Sequence, residues 1–553
     1  MRVVTVVVCG MLLVSLGCIS LNAQTPPVIS TRLNVLTFHN NSQRTGLNAL
    51  ETILTPANVN SATFGKVNFL ATDGQLYAQP LYVSRLSING VVHNVVFVVT
   101  EHDSVYAFDA DTGAQLWKTA ALPPNEVPAS FPDCGLVKPE IGITGTPVID
   151  LDTGLHGLIY VVATSQDQNQ SYHQRLHALD LATGAEWLGG PVEITGKYPG
   201  TGDNTQNGFV IFDPAQYLQR AALLEVNHKI YIAFSSHCDE RPYTGWIMQY
   251  SAWSLQQFSV LDITPNGNGG AIWQSGGGLA ADSDGNFYLL VANGTFDTTL
   301  DSNGFPINGN YGNTLLKVSG DTPMKVVDYF SMYNTIDESD QDLDFGSGGP
   351  VVVDIPTGVL TQPPVPVVIG AGKDTNIYVA NRYHLGKWNS LNNTGLYQEL
   401  DGAVNYGIFS VPAVFNSTIY YGPEYGQVTA FRFLHGYISS NPASQSSTVF
   451  GARGTTPSIS ANGSTNGIVW ANAYSKTDFG VLHAYDARDL RQELYNSNLA
   501  GSRDQYGIAT KFTTPMVANG RVYLSTPTGV AVFGLLGSGQ QGNAGGEKQA
   551  SGR

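Results

Sequence analysis

Charge, cysteine and long helical or apolar stretches are what this chain of 553 residues has little of. Only 13% of it is charged, and cations are the scarcer sign: 27 Lys and Arg against 43 Asp and Glu, a net charge of −16. That balance argues against nucleic-acid binding, which needs a basic face to replace counterions along a phosphate backbone. No apolar run after residue 23 is long enough to cross a bilayer. There is no His-Glu-x-x-His helix, no glycine-rich loop ending in Lys-Ser/Thr, and no Gly-x-Ser-x-Gly on a strand-to-helix turn. These gaps remove the usual zinc-peptidase, nucleotide-cradling and serine-hydrolase signatures. Helical periodicity is scarce, so an all-α or α/β layering is not expected.

The four cysteines divide by position. Two lie near the N-terminus in Met1–Ala23, which reads as an export leader. Arg2 supplies its charge, Val3–Leu16 its apolar core and Leu21-Asn22-Ala23 its cleavage site. Ser15-Leu16-Gly17-Cys18 resembles a lipoprotein box only faintly, because Ser15 stands where a large aliphatic residue is usual; a lipid anchor is not expected. The mature chain is therefore expected in the periplasm or outside the cell, as a monomer. It keeps Cys134 and Cys238. In an oxidising compartment these pair as one disulfide; two free buried thiols are the alternative. Residues 30–535 read as one domain, and 536–553, polar and glycine-rich, as a disordered tail.

What the chain has in quantity is glycine, 61 residues, and short β-rich runs broken by turn residues. Val105–Trp117 (VYAFDADTGAQLW) reads strand, turn, strand, with Gly113 free to take a positive φ. Degraded copies stand at Leu176–Leu188 and Leu482–Tyr495. Eight leading strands are flagged by Pro or Gly: Gln79-Pro80, Thr146-Pro147, Asn207-Gly208, Gly278-Leu279, Gly349-Pro350, Val411-Pro412, Thr456-Pro457 and Thr514-Pro515. Phe64–Ala71 is a strand without a hairpin partner, suited to completing the last sheet. The expected fold is all-β, an eight-bladed β-propeller of four-stranded antiparallel sheets. Seven blades are the alternative, because the third and fourth starts are the least regular.

The pattern Ala-x-Asp-x-x-Thr-Gly-x-x-x-Trp at Ala107–Trp117 resembles the blades of the quinoprotein alcohol dehydrogenase-like propellers, the pyrroloquinoline quinone repeat family. Asp109, Gly113 and Trp117 match directly, and Asp180, Gly184 and Asp486 hold the corresponding places in the copies. Trp187 sits one place early, with Leu188 at the tryptophan position, and Tyr495 replaces the tryptophan in the last copy. The lead-in Phe38–Asn60 is also similar. The resemblance implies a tryptophan wedged between neighbouring blades and, in the oxidising members, a quinone with calcium. Two departures oppose that chemistry. No Cys-Cys pair exists to pack on a quinone, and no Cys-x-x-Cys-His exists to carry haem.

Loops between second and third strands, and loops between blades, emerge on one face of such a fold. They are polar here. Trp273, Gln274, Glu140 and Arg453 are the candidate cofactor-binding residues, with Trp273 offered as a stacking platform. Asp297, Asp301 and Asn303 are candidate calcium ligands. His237-Cys238-Asp239 offers transition-metal donors as an alternative to the disulfide, and Asp342 with Asp344 is an acid pair of the kind glycoside chemistry needs. The expected function is an exported binding or scaffolding module that meets an unidentified protein or small ligand on this face. The alternative is a quinone- and calcium-dependent alcohol or sugar dehydrogenase.

Overall fold

The computed structural model describes residues 33–131, 134–187 and 189–537. The expected leader, Asp133, Leu188 and all but the first two residues of the expected tail lie outside them. Among the described residues, eight sheets each carry four antiparallel strands; in seven the strands run as a meander in chain order, and the last combines three such strands with one from the N-terminal part. In the first, the strands are Leu81–Ile88, Val91–Val99, Ser104–Asp109 and Gln115–Ala120. The other leading strands are Val148–Asp150, Leu224–Val226, Ala280–Ala281, Val351–Ile355, Ala413–Phe415, Ser458–Asn462 and Met516–Ala518. The only α-helix among the described residues, Thr335–Asp340, has 6 residues.

The strands are apolar on both faces because each sheet is covered on both sides. Val95, Phe97 and Val99 pack with Ile149, Ile159 and Val161 of the second sheet. Val96 and Val98, pointing the other way at period two, pack with Met516, Tyr523 and Val532 of the last. Each consecutive pair of sheets shares such a cluster, and the last packs on the first. This is a β-propeller architecture. The last sheet borrows its outer strand from the N-terminal part: Phe64–Ala71 pairs antiparallel with Gly529–Leu535. That leaves no unpaired edge where chain start and chain end meet.

The repeat motif seals neighbouring sheets. Asp109 Oδ1 accepts from the Asp111 and Thr112 amides at 3.1 and 2.8 Å, which shapes the turn. Gly113 follows at φ +81°, where a Cβ would stand 2.1 Å from Asn68 Nδ2. The Trp117 indole N–H then donates to Leu181 O of the second sheet at 3.0 Å. Asp180 repeats the turn, accepting from the Ala182 and Thr183 amides at 3.1 and 3.0 Å, and the Trp117 ring lies against Gly184. In the late copy Asp486 accepts from the Arg488 amide at 2.9 Å.

Two features differ from the sequence-based expectation. Asn207-Gly208 does not open the third sheet. Both residues have positive φ, 52° and 81°, and form a two-residue hairpin turn between Thr205–Gln206 and Phe209–Ile211 in a small separate sheet. The third sheet opens at Leu224 instead. The lead-in, moreover, is not a simple prefix. Val35 exchanges backbone hydrogen bonds with Tyr82, and Leu36 O accepts from Ile149 N. Ser42, Gln43, Thr45 and Gly46 carbonyls then accept from Ala281, Val352, Val414 and Ile459 amides in turn. Asn48 Nδ2 donates to Val517 O. Arg44 supplies the remaining contact, donating through Nη2 to Leu223 O at 3.0 Å beside the third leading strand. The strap thus meets seven of the leading strands in sheet order, and the Arg44 side chain reaches back to the residue before the third.

Candidate functional site

The polar loops do converge. A cavity of about 590 Å³ is lined by Gln75 and Tyr77, Leu136 and Lys138, Arg453, and Lys511 from loops between sheets. Glu424, Tyr474 and Lys476 join it from loops between second and third strands. Both loop classes therefore open on one face, as the meander requires.

An aromatic cluster that does not itself line the cavity lies against two of the lining cations, Arg453 and Lys511. Trp273 meets Phe409 edge-on at 6.1 Å and Phe512 at 5.9 Å, and the two phenylalanines stack at 6.4 Å. Cations sit over these rings. Arg453 lies 5.0 Å from the Phe409 centroid, Lys511 lies 5.7 Å from that of Phe512, and Arg220 lies 5.6 Å from both Phe512 and Tyr77. Such contacts hold a positive group in place without neutralising it. Among the described residues, Lys138, Arg220, Arg453, Lys476 and Lys511 form no ion pair. Arg220 is 5% exposed and its Nη2 has no hydrogen-bond partner. Burial, then Arg220, Arg453 and Lys476, pull the Lys511 ammonium down to about 8. A strongly acidic chain thus gathers unpaired cations at its mouth.

Acids stand behind and beside them. Trp273 donates its indole N–H to Asp344 Oδ2 at 2.9 Å, and burial pushes Asp344 up to about 7. Lys373 Nζ lies 2.8 Å from Asp342 and 3.8 Å from Asp344. A lysine therefore stands between the two carboxylates that the sequence paired. Glu101, 1% exposed, accepts through Oε2 from the Gly142 amide and the Thr144 hydroxyl, each at 2.9 Å, while Oε1 has no partner. Burial raises it from 4.5 to about 7. Between those values the native protein keeps a proton that the unfolded chain has lost. Its contribution is therefore full below about pH 4.5 and fades as pH rises through about 7. Relative to Glu101→Gln, the wild type is expected to lose on the order of 1–3 kcal/mol from about pH 4.5 to 8. Denaturant titrations at both pH values check this; parallel losses in both proteins would contradict it.

The sequence candidates separate. Trp273 and Arg453 come together through Phe409. Gln274 is turned under by a φ of 44° and is fully buried, with Oε1 accepting from Leu290 N at 3.1 Å. Glu140 accepts from His102 Nδ1 at 3.0 Å; neither it nor Gln274 lines the cavity. Asp297 accepts from the Asn308 and Asn310 amides at 3.0 and 3.2 Å. Asp301 accepts from those of Asn303 and Phe305 at 2.8 and 2.9 Å. Those carboxylates act as internal acceptors of their own loop. Cys134 and Cys238 are joined in a disulfide across 104 residues, Cα–Cα 5.6 Å. Cys238 is thus neither a thiol nor a metal thiolate. His237 is buried, stacks on Phe131 at 4.4 Å, and is pulled down to about 4 by burial. Arg220, Lys476 and Lys511 carry the site's charge, but no motif marks them; only the loop topology could have pointed to them.

No family model matches the chain, and no curated protein matches it. Solved structures do. A quinohemoprotein alcohol dehydrogenase, ADHIIG of Pseudomonas putida HK5, superposes with a TM-score of 0.56 at 15% identity over 94% of this chain and 82% of that one. The quinohemoprotein alcohol dehydrogenase of Comamonas testosteroni gives 0.53 at 15%, over 91% and 80%. A europium-containing methanol dehydrogenase gives 0.59 at 13%, over 91% and 98%. At these identities the likeness is one of fold. No helix among the described residues is long and apolar enough to cross a membrane. With its ring of packed sheets, its borrowed closing strand and its loop-rich mouth, the chain has the β-propeller fold of the quinoprotein alcohol dehydrogenase type.

Proposed function

We propose that this is an exported eight-bladed propeller of one domain, a binding module whose mouth takes a small ligand carrying two or more anionic groups. The observation that carries the reading is the set of unpaired cations Arg220, Arg453 and Lys511, held over aromatic rings beside a cavity of about 590 Å³ to which the exposed Lys476 adds a further charge. Desolvated cations without partners favour an anion that supplies the missing acceptors. Tyr77, Tyr425 and Tyr474 on the lining offer apolar area to a planar ligand. The eight sheets, and the strap that meets seven of their leading strands, support the blade count; the disulfide supports an oxidising compartment.

The dehydrogenase reading stays as the alternative because the same cations suit the carboxylates of pyrroloquinoline quinone. Arg220, Arg453 and Lys511 would hold them beside Trp273. When bound, that group supplies an electron acceptor for alcohol oxidation. Against it, the disulfide links distant loops rather than adjacent residues.

The test is calorimetric titration with citrate and with the quinone, each with and without calcium, followed by dye reduction with alcohols and aldoses. Saturable binding of at least one anion is expected, weakened about tenfold or more in Arg453→Gln with Lys511→Gln. If neither anion binds, the reading fails. Dye reduction that requires the quinone would replace it with the alternative.

A further inference from the structure

We propose a second ligand site, away from the mouth cations, for a small organic cation bearing two or more ammonium groups, a di- or polyamine. It is a cavity of about 420 Å³ beside the helix Thr335–Asp340 and the fifth sheet. The site does not depend on the reading of the mouth. Glu338, Asp374, Glu399 and Asp401 line it, and no Lys, Arg or His does.

Glu338 forms its floor. It is 3% exposed, and its Oε2 has no hydrogen-bond partner among the described residues. A buried carboxylate oxygen with nothing to accept from is a costly arrangement unless a ligand completes it. Asp374 is half-buried beside it, with Oδ2 accepting from the Tyr378 hydroxyl. Glu399 stands at the rim, accepting from Asn393 Nδ2 at 3.0 Å. Lys373, next in sequence to Asp374, is committed to Asp342. Repulsion among the acids is thus left uncompensated. Burial, then Asp374 and Glu399, push Glu338 up to about 8, and burial raises Asp374 to about 6.

The arrangement favours an amine over a bare metal ion. Among the described residues, the only three His, Cys, Asp or Glu groups whose donor atoms converge within 4.8 Å are Asp150, Glu225 and His228, elsewhere in the fold. The four cavity carboxylates are spread instead from floor to rim, as a ligand with separated charges requires. The exposed Tyr333 ring on the wall adds aromatic surface that attracts an ammonium group.

Spermidine, titrated calorimetrically into the whole protein at low ionic strength, is the probe. One saturable site is expected, weakened about tenfold or more in Glu338→Gln. Asp284→Asn removes the same charge from an exposed turn and is expected to bind as the wild type does. Glu399→Gln, at the exposed rim, is expected to weaken binding by a smaller factor and guards against misfolding of the buried variant. Excess calcium is expected to compete no better than its ionic strength accounts for. Absent or unsaturable heat would overturn the proposal. So would equal losses in Glu338→Gln and Asp284→Asn, or stoichiometric displacement by calcium.

Discussion

Arg44→Met is expected to lower the free energy of unfolding by about 3–5 kcal/mol, a large share of what holds a domain together. Arg44 is fully buried in the strap, and burial draws its guanidinium down to about 9, so it stays charged at neutral pH. Its fork serves four acceptors. Nε donates to Leu279 O at 2.9 Å, Nη1 to the Thr37 hydroxyl at 2.7 Å and Phe38 O at 2.8 Å, and Nη2 to Leu223 O at 3.0 Å. Methionine fills much of the volume but leaves three buried carbonyls and the half-buried Thr37 hydroxyl without the Arg44 donor. Arg44→Lys keeps the charge yet cannot span the four acceptors, so an intermediate loss is expected. Urea titration, with the slope unchanged and the midpoint lowered, is the measurement. A loss below about 1 kcal/mol in the methionine variant would mean that the strap does not tie the sheets together.

Phe64→Ala is expected to cost a similar amount, about 3–5 kcal/mol, for a different reason. Phe64 begins the strand that the N-terminal part lends to the last sheet. It is fully buried, with ring centroids 5.5 Å from Trp470, 5.0 Å from Tyr495 and 6.3 Å from Phe533. Removing it opens a cavity where the seventh and eighth sheets meet and loosens the strand pairing that joins the N-terminal part to the last sheet. Amide exchange in Gly529–Leu535 is expected to quicken with the loss of global stability. Phe69→Ala on the same strand is the control. That side chain is 38% exposed, and its removal is expected to cost less than about 1 kcal/mol. Equal losses at the two positions would show that the strand contributes by backbone pairing alone.

These two residues divide what was legible from what was not. Phe64–Ala71 could be read as a closing strand because it is apolar, β-prone and lacks a hairpin partner. Arg44 could not, since an arginine in a polar lead-in has no local signal that it will be buried. The same holds at the mouth. Loop polarity and meander topology located the face, and the pairing of Cys134 with Cys238 followed from there being two cysteines on loops of that face. Which side chains share the cavity did not follow. Arg220 comes from a loop more than 250 residues before those of Lys476 and Lys511, and nothing near any of them in sequence records the others. Asn207-Gly208 was misread because a turn signal does not say which sheet its hairpin joins.

By itself the sequence determined the all-β character, the repeated strand-turn-strand unit and the face on which loops gather. Periodicity and turn chemistry act within a few residues, so they survive in a linear reading. Only the tertiary structure decided the path of the strap, the company of unpaired cations and the acidic hollow beside the fifth sheet. Electrostatic fields and burial depend on which groups meet in space, and ring closure brings together residues that the chain order keeps far apart.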